Sequence, residues 1–284
     1  MARQAVMTVY DVQLGLAVHI KAPNGKYIII DLGTGAEGSG NESPLLKRLY
    51  DDIGYMIITH PHLDHIDDIL NFDRNTPTTL NRATSITNEE VMNGVRECDK
   101  PKFKKYCAVN DRYTSPVSAS TDPDNPENYG GLAIHVFKTS SCDKANFNNF
   151  SSIAIFELSD CKIVVCGDNE KESLDILMQR NSFKEAVKNA DVLVAPHHGR
   201  ESGYQDAFVS LVNPAITIIS DTKYSDASAV DKYREKTRGW KIWDRNGNSS
   251  ERYCLTTRSD GDIRVTFGES DDPQYSSILA VRLV

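Results

Sequence analysis

The stretch that decides the fold reads Thr59-His60-Pro61-His62-Leu63-Asp64-His65. Three histidines and one aspartate fall within six residues, in a chain of 284 residues that has only 7 histidines. Imidazole nitrogen and carboxylate oxygen are the donors that Zn²⁺ and other first-row divalent ions accept. The apolar run just before the motif, residues 55–58, reads as a strand. Side chains two positions apart leave a strand on the same face, so His60 and His62 aim at one point. Asp64 and His65, on the turn that follows, can face a second ion. The segment is read as a metal site.

Outward from this loop, short runs rich in Val and Ile recur. They predict strands at residues 7–10, 16–20, 26–30, 55–58, 132–137, 153–158, 162–166, 192–195, 215–219 and 263–267. Asn24-Gly25, between the second and third, is a hairpin signal. Helices are expected at residues 44–50, with Ser43 as N-cap and Pro44 in the first turn, and at 87–98, where Thr87 and Glu90 form a capping box. Residues 170–180, 183–189 and 228–236 also read as helices. Hairpins come first and β/α alternation follows in both halves, which predicts an α+β chain of mixed sheets covered by helices. Residues 71–130 lack strong strand signals and end in the polar, Pro/Gly-rich stretch 121–131, so they read as an insertion or lid. With no composition shift elsewhere, residues 1–284 are expected to form a single domain.

Charge and cysteine usage narrow the class. Lys and Arg number 32 against 40 Asp and Glu, a net charge of -8, which argues against a broad basic surface gripping nucleic acid. The six cysteines (Cys98, Cys107, Cys142, Cys161, Cys166, Cys254) form no CxxC pair, as expected of reduced thiols. The first residues show no signal-peptide core, and no apolar stretch approaches the 18 residues of a spanning helix. A cytoplasmic protein that does not enter the membrane is expected.

His-x-His-x-Asp-His after a strand resembles the signature of the metallo-β-lactamase superfamily. That resemblance implies an αββα sandwich, two mixed β-sheets face to face with helices outside and the metal site at one edge. Asp31, ending Ile28-Ile29-Ile30-Asp31, resembles the family's first motif, whose aspartate braces the histidine loop. Gly167-Asp168 resembles the later motif whose aspartate bridges two metals, and Pro196-His197-His198-Gly199 resembles the segment supplying the last histidine. The implied ligands are His60, His62, Asp64, His65, Asp168 and His197, holding two divalent ions, Zn or Mn. Asp64 and His198 are the candidate catalytic residues: Asp64 to orient the nucleophile, His198 to contact the substrate anion or protonate the leaving group. Lys138 and Arg200 could meet phosphate oxygens.

Within the superfamily the chain resembles the soluble hydrolase domain of ComEC-type DNA-uptake proteins and related phosphodiesterases. Asp11-Val12-Gln13-Leu14-Gly15-Leu16-Ala17 is similar to that branch's opening motif, departing at three positions; Asn148-Asn149-Phe150-Ser151 and Asp260-Gly261-Asp262-Ile263 are similar to two later ones. The likeness runs from about residue 6 to 267, with 71–130 unaccounted for. Two departures matter. No histidine stands at residues 146–149, where the family has one, so Asn149 is the nearest substitute; His135 reads as a core or surface residue. Tyr224-Ser225-Asp226 occupies the place of a further histidine.

The resemblance implies a phosphodiesterase or nuclease using a metal-bound hydroxide, its partner a phosphodiester of nucleic acid or a small nucleotide. Two other readings stay open: hydrolysis of a carboxyl ester, lactone or thioester, and a non-catalytic, metal-binding regulatory module.

Overall fold

A computed structural model describes residues 2–34, 43–47, 52–222 and 229–284. The strands are β1 (Gln4–Val9), β2 (Val18–Lys21), β3 (Tyr27–Ile30), β4 (Ile53–Ile57), β5 (Thr79–Asn81), β6 (Ala133–Phe137), β7 (Ile153–Leu158), β8 (Cys161–Val165), β9 (Val192–Val194), β10 (Ile216–Ile219), β11 (Trp240–Trp243), β12 (Ser249–Arg252), β13 (Cys254–Thr256), β14 (Ile263–Glu269) and β15 (Ser277–Leu283). They form two mixed sheets. One has nine strands in the order β12-β11-β15-β14-β1-β2-β3-β4-β5; the other has six, β13-β10-β9-β8-β7-β6.

Three buried apolar clusters explain the layering. Ile28 and Ile30 of β3, Tyr55 and Ile57 of β4, and Ile163 and Val165 of β8 meet between the sheets. The alternate residues Ile29, Met56 and Ile58 point outward against Ile66, Ile69, Tyr106 and Val109. On the other sheet, Val164, Cys166, Ile153 and Ile155 point outward against Leu174, Leu177, Phe183 and Phe208 of the covering helices. Successive strand side chains face opposite ways, so a strand buried on both faces must be apolar without interruption. That is why β3, β4 and β8 end in the apolar runs Ile28–Ile30, Tyr55–Ile57 and Ile163–Val165, and it produces the expected αββα order: helix, sheet, sheet, helix.

Every strand expected from sequence has a counterpart, and the Asn24-Gly25 turn joins β2 to β3 with Gly25 at φ +91°. The capping box is present: Thr87 Oγ1 accepts from the Glu90 amide at 3.2 Å and Glu90 Oε2 accepts from the Thr87 amide at 2.8 Å. Its helix is only Asn88–Met92, shorter than expected. The stretch 71–130 is more ordered than its sequence suggests. It supplies edge strand β5, parallel to β4, and the helix Lys100–Arg112, which packs on the short helix Leu63–Ile66 of the histidine loop. Of the helix expected at 44–50, Pro44–Lys47 is helical and the remainder lies outside the described residues, as do Ser228 and Tyr224-Ser225-Asp226. All six cysteines are free. No helix among the described residues is long and apolar enough to cross a membrane.

β3 and β4 run parallel, as do β8, β9 and β10. Their carboxyl ends therefore share one edge of the sandwich. Asp31 follows β3, the histidine loop follows β4, Asp168 follows β8, His197 and His198 follow β9, and Ser220 follows β10.

Candidate metal centre

Asp31 is the hub beneath the histidine loop. It is fully buried, and its carboxylate accepts three bonds of 2.7 Å each: from the Thr59 amide, from Thr59 Oγ1 and from His65 Nδ1. A carboxylate only accepts, so His65 carries its proton on Nδ1 and turns Nε2 the other way. His198 is set likewise, because its Nδ1 donates to the Ser220 carbonyl at 2.9 Å. For His60 the anchor is Thr59 Oγ1, 3.2 Å from Nδ1. All three Nε2 atoms are buried and make no hydrogen bond.

The ligand atoms of Asp64, His65, Asp168 and His198 lie within 4.8 Å of one another. Asp168 stands between the imidazoles, its two oxygens 3.2 Å from His65 Nε2 and 3.3 Å from His198 Nε2. Asp64 Oδ2 is 3.5 Å from His198 Nε2 and 3.9 Å from His65 Nε2. Buried polar nitrogens without partners are costly and rare. Two imidazoles and two carboxylates aimed at one point would be satisfied by a divalent ion, and the donor set suits Zn²⁺ or Mn²⁺ alike. The residues fit a metal.

Electrostatics show the same concentration of charge. Burial opposes a charge on His198, but Asp168 and Asp64 outweigh it and lift the imidazole to about 10. His65 is likewise raised well above the ordinary histidine value, burial being overcome by Asp168, Asp31 and Asp64. In return, Asp168 and Asp64 are held below the ordinary carboxylate range against the effect of burial, by His198 and His65. His60 is held well below its usual value by burial and by the adjacent His65, which leaves a neutral ring with a free lone pair.

The backbone is forced where these groups meet. Asp31, His197 and His198 adopt left-handed conformations, with φ of 58°, 46° and 54°. Residues other than glycine rarely do so, and strain of this kind gathers at functional sites. Gly15, at φ +93°, lies directly under the Asp64 backbone, and a Cβ there would fall 1.9 Å from the Asp64 carbonyl oxygen. The departed opening motif thus keeps the one residue that packing demands.

Six expected ligands distribute as follows. Asp64, His65 and Asp168 join the compact cluster. His60 and His62 stand beside it, with ring centroids of His60 4.2 Å from His65 and 4.5 Å from His62. His197, the expected last ligand, has its Nε2 3.9 Å from Asp168 Oδ2 and accepting from Arg200 at 3.1 Å, while its Nδ1 meets Ser202 Oγ at 2.8 Å and Glu170 Oε1 at 3.0 Å. Within the compact cluster of four donors, the adjacent His198 is the fourth. Asn149 is committed elsewhere, its carboxamide accepting from the Glu170 amide and donating to Glu172. Asn148, which donates to Glu170 Oε1 at 3.0 Å and keeps Oδ1 buried, is the carboxamide beside His62. Lys138 donates to the Arg82 carbonyl at 2.7 Å. His135 is exposed on β6. Thr59, Ser220 and Glu170 were not singled out from sequence; Thr59 and Ser220 share the strand-end position that marked the other site residues.

The family model of the metallo-beta-lactamase superfamily matches residues 11–220, which span the whole site. The chain belongs to the metallo-beta-lactamase superfamily. The metallo-beta-lactamase fold protein YhfI of Bacillus subtilis is 14% identical, with 81% of this chain and 91% of that one covered and a TM-score of 0.45. CmlA, a diiron β-hydroxylase of Streptomyces venezuelae, is 11% identical, covering 83% and 50%, with a TM-score of 0.48. A diphosphatase of the PhnP family is 12% identical, covering 90% and 100%, at 0.41. Likenesses this distant carry no activity over to this metallo-beta-lactamase superfamily member. No curated protein matches it.

Proposed function

We propose that this chain is a phosphodiesterase acting on a small nucleotide or nucleic acid, with divalent ions held first by Asp64, His65, Asp168 and His198. The broader reading, a metal-dependent hydrolase, rests on the family and on one observation: four ligand atoms within 4.8 Å, two of them imidazole nitrogens that lack any other partner. A second ion would use His60, His62 and Asp168. There Asn148 stands where a third imidazole would be needed, and a carboxamide oxygen favours Mn²⁺ over Zn²⁺.

A bound divalent ion lowers the pKa of a coordinated water toward about 7 and neutralises charge on the substrate. The chain's own groups do the rest. Asp31 and the Ser220 carbonyl keep the Nδ1 protons of His65 and His198 away from the reacting centre. Asp64, the member of the cluster most open to solvent at 24% side-chain exposure, orients the attacking water. Arg200, fixed on His197 at the rim, can meet a phosphate oxygen. An anionic diester profits from that cation, whereas a neutral carboxyl ester gains less, which favours phosphorus over carbon as the centre attacked. The ComEC-type likeness of residues 11–17, 148–151 and 260–263 supports the same choice.

Asp64→Asn tests the proposal. The amide keeps the shape of a side chain that is mostly buried but reaches solvent, so circular dichroism should show an unchanged fold. Hydrolysis of a chromogenic phosphodiester, short DNA and RNA, and cyclic nucleotides should fall at least about a hundredfold, as when one preorganised electrostatic element is removed. Wild-type protein inert on every phosphodiester but active on a lactone or thioester would move the assignment to carboxyl esters. Metal uptake without turnover of either class would support the regulatory reading.

A further inference from the structure

Beside His62 lies a cleft of about 340 Å³, walled by Leu63, Val91, Arg96, Phe103 and Phe147. Its far wall comes from the helices Asn88–Met92 and Lys100–Arg112 and the turn between them, all inside the 71–130 stretch that no motif accounts for. We infer that this cleft receives the nucleoside of a small phosphodiester substrate, an inference that rests on the phosphodiester reading of the adjoining centre.

Position comes first. His62 is shared between cleft and centre: its ring lies 4.5 Å from His60, which lies 4.2 Å from His65. A group seated against His62 therefore lies within reach of whatever is held at the cluster. Size comes second, since 340 Å³ falls at the lower end of the range for small-molecule sites. A nucleic-acid polymer needs an extended basic surface, which a chain of net charge -8 is poorly placed to offer. The chemistry of the walls decides the class. Phe103 and Phe147 offer aromatic faces, and Phe147 lies 6.0 Å from the His62 ring at 32°. Asp99 also lines the cleft and holds Arg96, whose Nε donates to Asp99 Oδ2 at 2.7 Å, so a donor and an acceptor sit side by side on one edge. A nucleobase has a π-face to stack and an edge of donors and acceptors. An alkyl or acyl chain would desolvate Arg96 and Asp99 and bond to neither.

The test uses Asn93→Trp. Asn93 is exposed at the rim of the cleft, just past a helix end, so an indole there fills the cleft without entering the core. Thymidine 5′-(4-nitrophenyl) phosphate and methyl 4-nitrophenyl phosphate share a leaving group and differ in the group the cleft would hold. Wild-type kcat/KM should favour the thymidine ester at least tenfold, and Asn93→Trp should bring the ratio close to one. Thymidine alone, followed by saturation-transfer NMR, should bind the wild type and not the variant, and octanoate should bind neither. Equal kcat/KM for the two esters, a preference that survives Asn93→Trp, or binding of octanoate in place of thymidine would overturn the inference. Should neither ester be cleaved while thymidine binds the wild type and is lost in the variant, the cleft stands and the phosphodiester reading falls.

Discussion

Replacing Asp31 by Asn isolates what the buried hub does. The backbone is not at issue, because φ of 58° is a conformation Asn adopts more readily than most residues. Asn keeps one oxygen, which can still accept from the Thr59 amide. Its NH₂ must then face Thr59 Oγ1 and His65 Nδ1, the two donors that the second carboxylate oxygen accepts at 2.7 Å. The threonine hydroxyl can rotate and accept instead. The imidazole can accept only by moving its proton to Nε2, and that places an N–H in the cluster where a lone pair is needed. Loss of an outer partner of this kind lowers metal affinity about 10- to 100-fold, or about 1.4 to 2.7 kcal/mol. Competition with a chromophoric chelator measures the affinity, and ¹⁵N chemical shifts of His65 in the Zn²⁺-loaded protein report which ring nitrogen carries the proton. An affinity within about twofold of wild type, with Nε2 still unprotonated, would refute the argument that Asp31 sets the ligand.

Three further outcomes are expected. Gly15→Ala should lower both melting temperature and metal affinity, since its Cβ would fall 1.9 Å from the Asp64 carbonyl oxygen at a φ of +93°; calorimetric scanning with and without metal checks both. Chelation should destabilise the protein, because binding at a hundred times Kd stabilises by about 2.7 kcal/mol; a melting temperature indifferent to Zn²⁺ and Mn²⁺ would mean that the cluster holds neither. Asn148→His should raise the metal content from about one ion per chain toward two by supplying an imidazole beside His62, as elemental analysis would show.

Much of the fold was legible because strands buried on both faces must be largely apolar, and β3, β4 and β9 are apolar throughout while β7, β8 and β10 are each broken by one polar residue, Glu157, Lys162 and Thr217. β11 and β12 escaped because Lys241, Ser249, Ser250 and Glu251 are exposed, leaving no apolar run to read. β5 has three residues and owes its existence to pairing with β4. The helix Lys100–Arg112 carries five Lys and Arg and buries only Tyr106 and Val109 fully, so its stripe was faint.

The sequence by itself determined the chemistry: histidine and aspartate at strand ends, in an order and spacing that name a metal centre and its family. Donor identity is a property of residue type, and strand ends are announced by local hydropathy. Only the tertiary structure decided which donors converge. His197 and His198 are adjacent and chemically identical, and what separates them is the Ser220 carbonyl at the end of β10 against Glu170, Ser202 and Arg200. Asn148 and Asn149 are separated less sharply: Asn148 donates to Glu170 Oε1 and keeps its buried Oδ1 beside His62, whereas Asn149 spends both ends on the Glu170 amide and Glu172. Which lone pair points at an ion is set by what the opposite side of the side chain touches, and those partners come from elements far apart in the chain.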